Sequence, residues 1–147
     1  PRPVGPDRNA MPVHGQLAVS RLGTLYFGGQ REGDGQGTGD IYYSRLVNGE
    51  YTKPVNAGPV VNSGEMEHCP YIAPDESYLI FMRERIGIYI SYRGTDGQWL
   101  PPVKLEKLRG GPTAMVSPDG KYLFFGSFGT SWVEATVIEQ LRPKEIK

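Results

Sequence analysis

The chain holds one cysteine, Cys69, and two histidines. A single thiol excludes an internal disulfide and any zinc cluster built on cysteines. Charge of one sign is also missing. Lys and Arg number 16, Asp and Glu 16, for a net charge of +0. A nucleic-acid binder usually carries a basic excess, so no nucleic-acid partner is expected. Apolar runs are short: Tyr78 to Met82 spans about five residues, against about 20 for a membrane helix, so no membrane insertion is expected. Neither Gly-x-Ser-x-Gly nor His-Glu-x-x-His occurs, which removes the strongest hydrolase signals. No Met opens the chain, and Pro1 to Pro6 lacks the layout of a signal peptide. The chain therefore reads as a processed or excised piece. Turn formers and aromatics are what it has in quantity, with 20 Gly and 13 Pro in 147 residues and 11% aromatics. That mixture describes one folded, turn-rich domain rather than a disordered chain.

The turns recur. Ala73-Pro-Asp-Glu-Ser-Tyr-Leu-Ile-Phe81 is repeated as Ser117-Pro-Asp-Gly-Lys-Tyr-Leu-Phe-Phe125, about 44 residues on. A shorter copy, Ser20-Arg-Leu-Gly-Thr-Leu-Tyr-Phe27, lies upstream. Each copy is a tight turn followed by an aromatic-rich apolar strand. A second block follows: Ile41-Tyr-Tyr-Ser-Arg45 matches Ile88-Tyr-Ile-Ser-Tyr92. Asn48-Gly49 and Asp96-Gly97 then read as hairpin turns of type I′, with positive φ at both central residues. Pro54-Val55 and Pro102-Val103 close the unit, and proline there suits an outer strand. One unit is thus four antiparallel strands, A to D, with B the Tyr-Leu-Phe-Phe strand and C the Ile-Tyr-x-Ser strand. Four strands recurring every 45 to 50 residues predict propeller blades. The expected blades cover about 12–56, 64–104 and 111–135, the last without a D strand. Ala135 to Leu141 predicts a short helical tail, stopped at Arg142-Pro143.

These blocks resemble the TolB-type, WD40-like propeller repeat, also called PD40 after its Pro-Asp core. Ser117-Pro118-Asp119-Gly120-Lys121-Tyr122-Leu123-Phe124-Phe125 matches that motif closely. Ala73-Pro74-Asp75-Glu76 puts Glu in the Gly position, and Ser20-Arg21-Leu22-Gly23 lacks both Pro and Asp. The resemblance covers about residues 12 to 135. It implies an all-β propeller acting as a binding platform, commonly in bacterial envelope or secreted proteins, and it brings no catalytic motif with it. Such rings have six or seven blades, and three cannot close one. Either two copies pair about a two-fold axis into a six-bladed homodimer, or the chain is part of a longer propeller. In the dimer, Pro1 to Pro6 would supply the missing D strand to the partner.

Ligands of a propeller usually meet the face shared by the B–C loops and D–A connections. The B–C loops here are Gly28–Gly39, Met82–Gly87 and Gly126–Gly129; the D–A connections are Asn9–His14, Asn62–His68 and Arg109–Pro112. The first loop is glycine-rich and carries Arg31, Asp34 and Asp40. It reads either as a long flexible hairpin or as a calcium loop with Asp34 and Asp40 as oxygen donors, although its spacing is not that of an EF-hand. Glu65, Glu67 and His68 form a cluster at the start of blade 2, with His14 as a symmetric counterpart. Either His68 and Glu67 face a ligand or a metal, or His68 hydrogen-bonds a neighbouring blade and the acids face water. Arg83 and Arg85 flank Glu84 and read either as an anion clamp or as a solvated charged turn. Strand alternation sends His68 and Cys69 to opposite faces, so no Cys-His dyad is expected and Cys69 reads as a buried structural residue. Tyr26, Phe27, Tyr42, Tyr78, Phe81, Tyr89, Phe124 and Phe125 are assigned to packing between blades. The expected function is a non-catalytic scaffold binding a protein or a small carbohydrate-like ligand. The alternative is a carbohydrate-active lyase or hydrolase on the same face, for which nothing selects a carboxylate pair.

Overall fold

A computed structural model describes residues 12–33, 35–108, 111, 113–126 and 129–146. Pro1 to Pro6, the proposed donor strand, lies outside the described residues. Among the described residues the chain is all-β with a single short α-helix. The first sheet contains β1 (Val13–Val19), β2 (Leu25–Gly29), β3 (Asp40–Ser44) and β6 (Val55–Asn56), hydrogen-bonded in the order β1-β2-β3-β6. Between β3 and β6 a separate hairpin pairs β4 (Leu46–Val47) with β5 (Glu50–Tyr51). The second sheet is β7 (Glu67–Ile72), β8 (Tyr78–Arg83), β9 (Gly87–Tyr92) and β10 (Val103–Lys104), again in sequence order. The third holds β11 (Thr113–Val116), β12 (Tyr122–Gly126) and β13 (Thr130–Glu134). All three sheets are antiparallel meanders, compatible with propeller blades.

The fourth strand in each of the first two sheets is the Pro-Val segment, pairing Tyr42 with Asn56 and Tyr89 with Lys104. Pro54 sits just ahead of its strand, where its missing N–H costs no ladder bond. The serine of each Ile-Tyr-x-Ser block has a repeated task. Ser44 donates to the Thr52 carbonyl at 2.5 Å and Ser91 to the Leu100 carbonyl at 2.6 Å, so each fully buried hydroxyl ties the C strand to the returning chain. The two hairpin turns differ. Asn48 and Gly49 both have positive φ, 52° and 83°, as a type I′ turn requires. At the second only Gly97 does (79°), because the loop closes from Gly94 and the Asp96 carboxylate accepts from the Gln98 N–H at 2.9 Å. That is a longer turn ending in a left-handed glycine.

Side-chain direction repeats with the sequence. Leu79 and Phe81 face the first sheet, where they pack with Tyr26, Ile41, Val61 and Ile72. Ile80, Ile90 and Tyr92 face the third, against Ala114, Val116, Leu123 and Phe125. In every copy of Leu-x-Phe the outer two residues point one way along the row of sheets and the middle one the other. The helix α1 (Thr136–Leu141) follows β13 as expected and is closed by a short 3-10 turn, Lys144–Ile146. Ile138 is buried in the second cluster, and its carbonyl accepts the Tyr92 hydroxyl at 2.5 Å. No helix among the described residues is long and apolar enough to cross a membrane.

Candidate functional site

The antiparallel order brings the loop after β2, the loop after β8 and the segment leading into β7 to one end of the sheets. Val13 to Gly15 and Glu67 to Cys69 are equivalent there. His14 pairs in register with Gly28, His68 pairs with Met82, and the next residue in each strand, Gly15 or Cys69, has positive φ (76° and 51°). Both strands break register immediately afterwards, which marks a β-bulge. β1 and β7 lie side by side at this point. A Cβ on Gly15 would overlap the Cys69 sulfur, so the contact itself requires glycine.

The bulge corrects one expectation. His68 Nδ1 lies 3.2 Å from Cys69 Sγ, although alternation predicts opposite faces. Alternation holds only for extended backbone, and the left-handed Cys69 turns its side chain back toward the ring. The thiol is nonetheless not an activated nucleophile. It is 4% exposed, and burial pushes it above the ordinary thiol range, whereas thiolate chemistry needs the opposite shift. Cys69 is a buried structural cysteine.

Glu67 does not face water as one reading expected: it is fully buried, because Arg83 and Ser63 supply its partners. Arg83 Nε donates to its Oε1 at 2.7 Å, the Ser63 hydroxyl to Oε1 at 2.5 Å, and the Ser63 N–H to Oε2 at 3.1 Å. The same guanidinium donates to the Val61 carbonyl at 3.2 Å and lies 4.5 Å above the Tyr89 ring. Glu67 and Arg83 thus clamp the incoming connection onto the second sheet. Arg85, at positive φ (60°), is exposed beside Met82, Ile86 and Lys104. The two guanidiniums therefore do different things: Arg83 is committed inward and Arg85 faces solvent. Glu65 is exposed, and its N–H donates to the Ser63 hydroxyl. His68 is half-buried, and the side chain of His14 lies outside the described residues.

Within the glycine-rich loop, Arg31 is half-buried and donates to the Pro54 carbonyl at 3.4 Å. Asp34 lies outside the described residues. Asp40 is 1% exposed. Its Oδ2 accepts from the Gln36 N–H at 2.9 Å and from Asn56 Nδ2 at 2.6 Å, while Oδ1 is buried without a hydrogen-bond partner among the described residues. N–H donors already fill the oxygen that the loop reaches. Among the described residues no group of three or more His, Cys, Asp or Glu side chains is placed to hold a metal. The loop is anchored rather than splayed. Gly39 bridges to Met66, and Gly37 approaches Gly64 and Glu65 so closely that a Cβ would overlap their backbone.

Two further side chains, Asn62 and Glu76, lie outside the expected site residues. Asn62 fills the edge of β3, accepting the Ile41 N–H at 2.8 Å and donating to its carbonyl at 3.1 Å. At the opposite end of the sheets, Glu76 has φ 61° and occupies the turn position held by Gly120 (φ 74°) in the third sheet. Its carboxylate accepts from Ser20 at 2.7 Å and from Arg93 at 3.4 Å. A glutamate at a glycine position was the available signal. No family profile matches the chain, and no curated protein matches it.

Proposed function

We propose that this chain is half of a TolB-type binding propeller, which closes as a six-bladed homodimer. The supporting observation is a set of exposed apolar side chains at the two ends of the row of sheets; at the first end they lie on β1, while Leu25, Phe27 and Tyr42 on the same face are already buried beside Tyr51. Leu17 and Val19 are 50% and 55% exposed. By register they are the counterparts of Ala114 and Val116, which the second sheet covers. Met115 and Trp132 are 53% and 58% exposed. Trp132, paired with Phe124, corresponds to Ile90, paired with Ile80 and covered by the third sheet. One chain therefore carries both halves of the interface it already uses twice internally. A second copy related by a two-fold axis matches both at once and takes Leu17, Val19, Met115 and Trp132 out of water.

The ring presents the end bearing Glu65, His68 and Arg85 to its ligand, a protein or a small carbohydrate-like molecule. The clamp through Glu67 and Arg83 supports a scaffold reading, because the most buried acid at this end is committed to structure. An extracytoplasmic home, periplasmic or secreted, follows from the resemblance. Light scattering after gel filtration tests the proposal. The expected mass is twice the 16.3 kDa of one chain, and Leu17→Lys and Trp132→Lys should each return it to the single-chain value. A single-chain mass for the unaltered protein, an open-ended series of larger species, or pairs that survive both substitutions would overturn it.

A further inference from the structure

Between the first and second sheets, at the end opposite the loops above, lies a cavity of about 260 Å³. Its two walls differ. One is self-satisfied: Arg93 lies 4.0 Å over the Trp99 ring, donates to the Tyr26 hydroxyl at 3.0 Å and pairs with Glu76 at 3.4 Å. Tyr26 also lies within 3.4 Å of Glu76, and Arg93 further reaches the carbonyls of Glu76 and Gly97. Its charges cancel, and Arg93, Glu76 and Tyr26 are each committed to one another. The other wall carries Tyr43 and Arg45, with Gln98 at the rim. Among the described residues, the Tyr43 hydroxyl, the Arg45 guanidinium and the Gln98 amide make no hydrogen bond. Arg45 also has no carboxylate partner there; it sits 5.7 Å over the Tyr43 ring. The aromatic floor is fixed, with Tyr26 5.8 Å from Tyr43 and 6.5 Å from Trp99. The second wall thus offers one uncompensated positive charge and uncommitted hydrogen-bonding groups around a ring-sized space.

We propose that this cleft between sheets binds a small hydroxylated carboxylate, a sugar acid of monosaccharide size, with its carboxylate on Arg45 and its hydroxyls on Tyr43 and Gln98. The volume limits the ligand to one ring, since drug-sized sites run to roughly 300–1,000 Å³. Guanidinium is suited to a carboxylate because its fork of donors matches two oxygens. A flat apolar acid is a poorer match, because it leaves the hydroxyl and amide donors unpaired. The committed wall gives one side of the cleft its shape before any ligand arrives, whereas Arg45 and Gln98 are exposed and become ordered on binding. Glu76 fits this account. Its backbone takes a conformation that glycine adopts freely, and in return its carboxylate holds Arg93 over Trp99.

The test is a nitrogen-15 NMR titration of the whole chain with D-glucuronate, with D-glucose and acetate as controls at constant ionic strength. Glucuronate should shift the Trp99 indole resonance saturably and leave that of Trp132 in place. Glucose, lacking the charge, and acetate, lacking the hydroxyls, should each bind more weakly by about tenfold or more. Arg45→Gln should weaken glucuronate by about tenfold while the unliganded spectrum remains folded. Three results would each overturn the proposal: an unmoved Trp99 resonance, glucose binding as tightly as glucuronate, or unchanged affinity in Arg45→Gln. Both walls belong to one chain, so this outcome is independent of the solution mass that tests ring closure.

Discussion

Removing either partner of the Glu67–Arg83 pair should damage the fold unequally. Glu67 has a side-chain exposure of 0% and Arg83 of 15%. After Arg83→Met, the carboxylate keeps only the Ser63 hydroxyl and N–H and has no access to water. An uncompensated buried charge costs about 3–5 kcal/mol. After Glu67→Gln, the guanidinium keeps the Val61 carbonyl and the Tyr89 ring, and its partial exposure lets water replace what is lost. That change should cost about 2 kcal/mol, typical of a hydrogen bond to a charged group. At this chain length, about 4 kcal/mol lowers the melting temperature by roughly 10 °C. Urea denaturation of both variants and of the double variant gives the comparison. The double variant leaves no orphaned charge, so it should be more stable than Arg83→Met alone, a coupling well above the few tenths seen for independent sites. If Arg83→Met costs less than Glu67→Gln, or the two effects add, the clamp does not work as described.

Other consequences follow from the same structure. Gly15→Ala should destabilise by about 2–4 kcal/mol through overlap with the Cys69 sulfur and a strained positive φ, and Gly15→Ala with Cys69→Gly should recover part of the loss in thermal melts. Cys69 should react with a disulfide reagent only after unfolding, because burial raises its pKa; a fast reaction under native conditions would contradict its placement. Burial pushes the Tyr92 phenol up to about 12 and also raises Tyr26 and Tyr78. The unfolded chain therefore releases these protons first, so stability should be intact below about pH 10 and fall between about pH 10 and 12. Urea midpoints across that range, with tyrosinate absorbance, check the sign. Glu76→Gly should relieve about 1 kcal/mol of backbone strain yet still destabilise, since it frees Ser20 and Arg93 at the boundary between sheets.

The repeat was legible because turn chemistry and side-chain alternation are local. Pro-Asp-Gly needs a glycine-like residue at one fixed position, and Leu-x-Phe needs two faces; both demands are met within a few residues. The site was less legible because its geometry is non-local. Glu67 reads as a candidate acid until Arg83 arrives from the next strand and Ser63 from the preceding connection. His68 and Cys69 illustrate the same limit at shorter range. Alternation separates them, and only the approach of Gly15 from another sheet shows that the strand must bulge there. Glu76 is the instructive case between these extremes. Its sequence position announced a cost, because glutamate stood where the motif prefers glycine. Its return, a carboxylate reaching Ser20 in one sheet and Arg93 in its own, needed both sheets in place. A residue that breaks a local rule is a pointer to a distant partner. Here the broken rule leads to the boundary between sheets where Arg93, Trp99 and Tyr26 shape a cleft, and not to the end of the sheets where the charged loops drew attention.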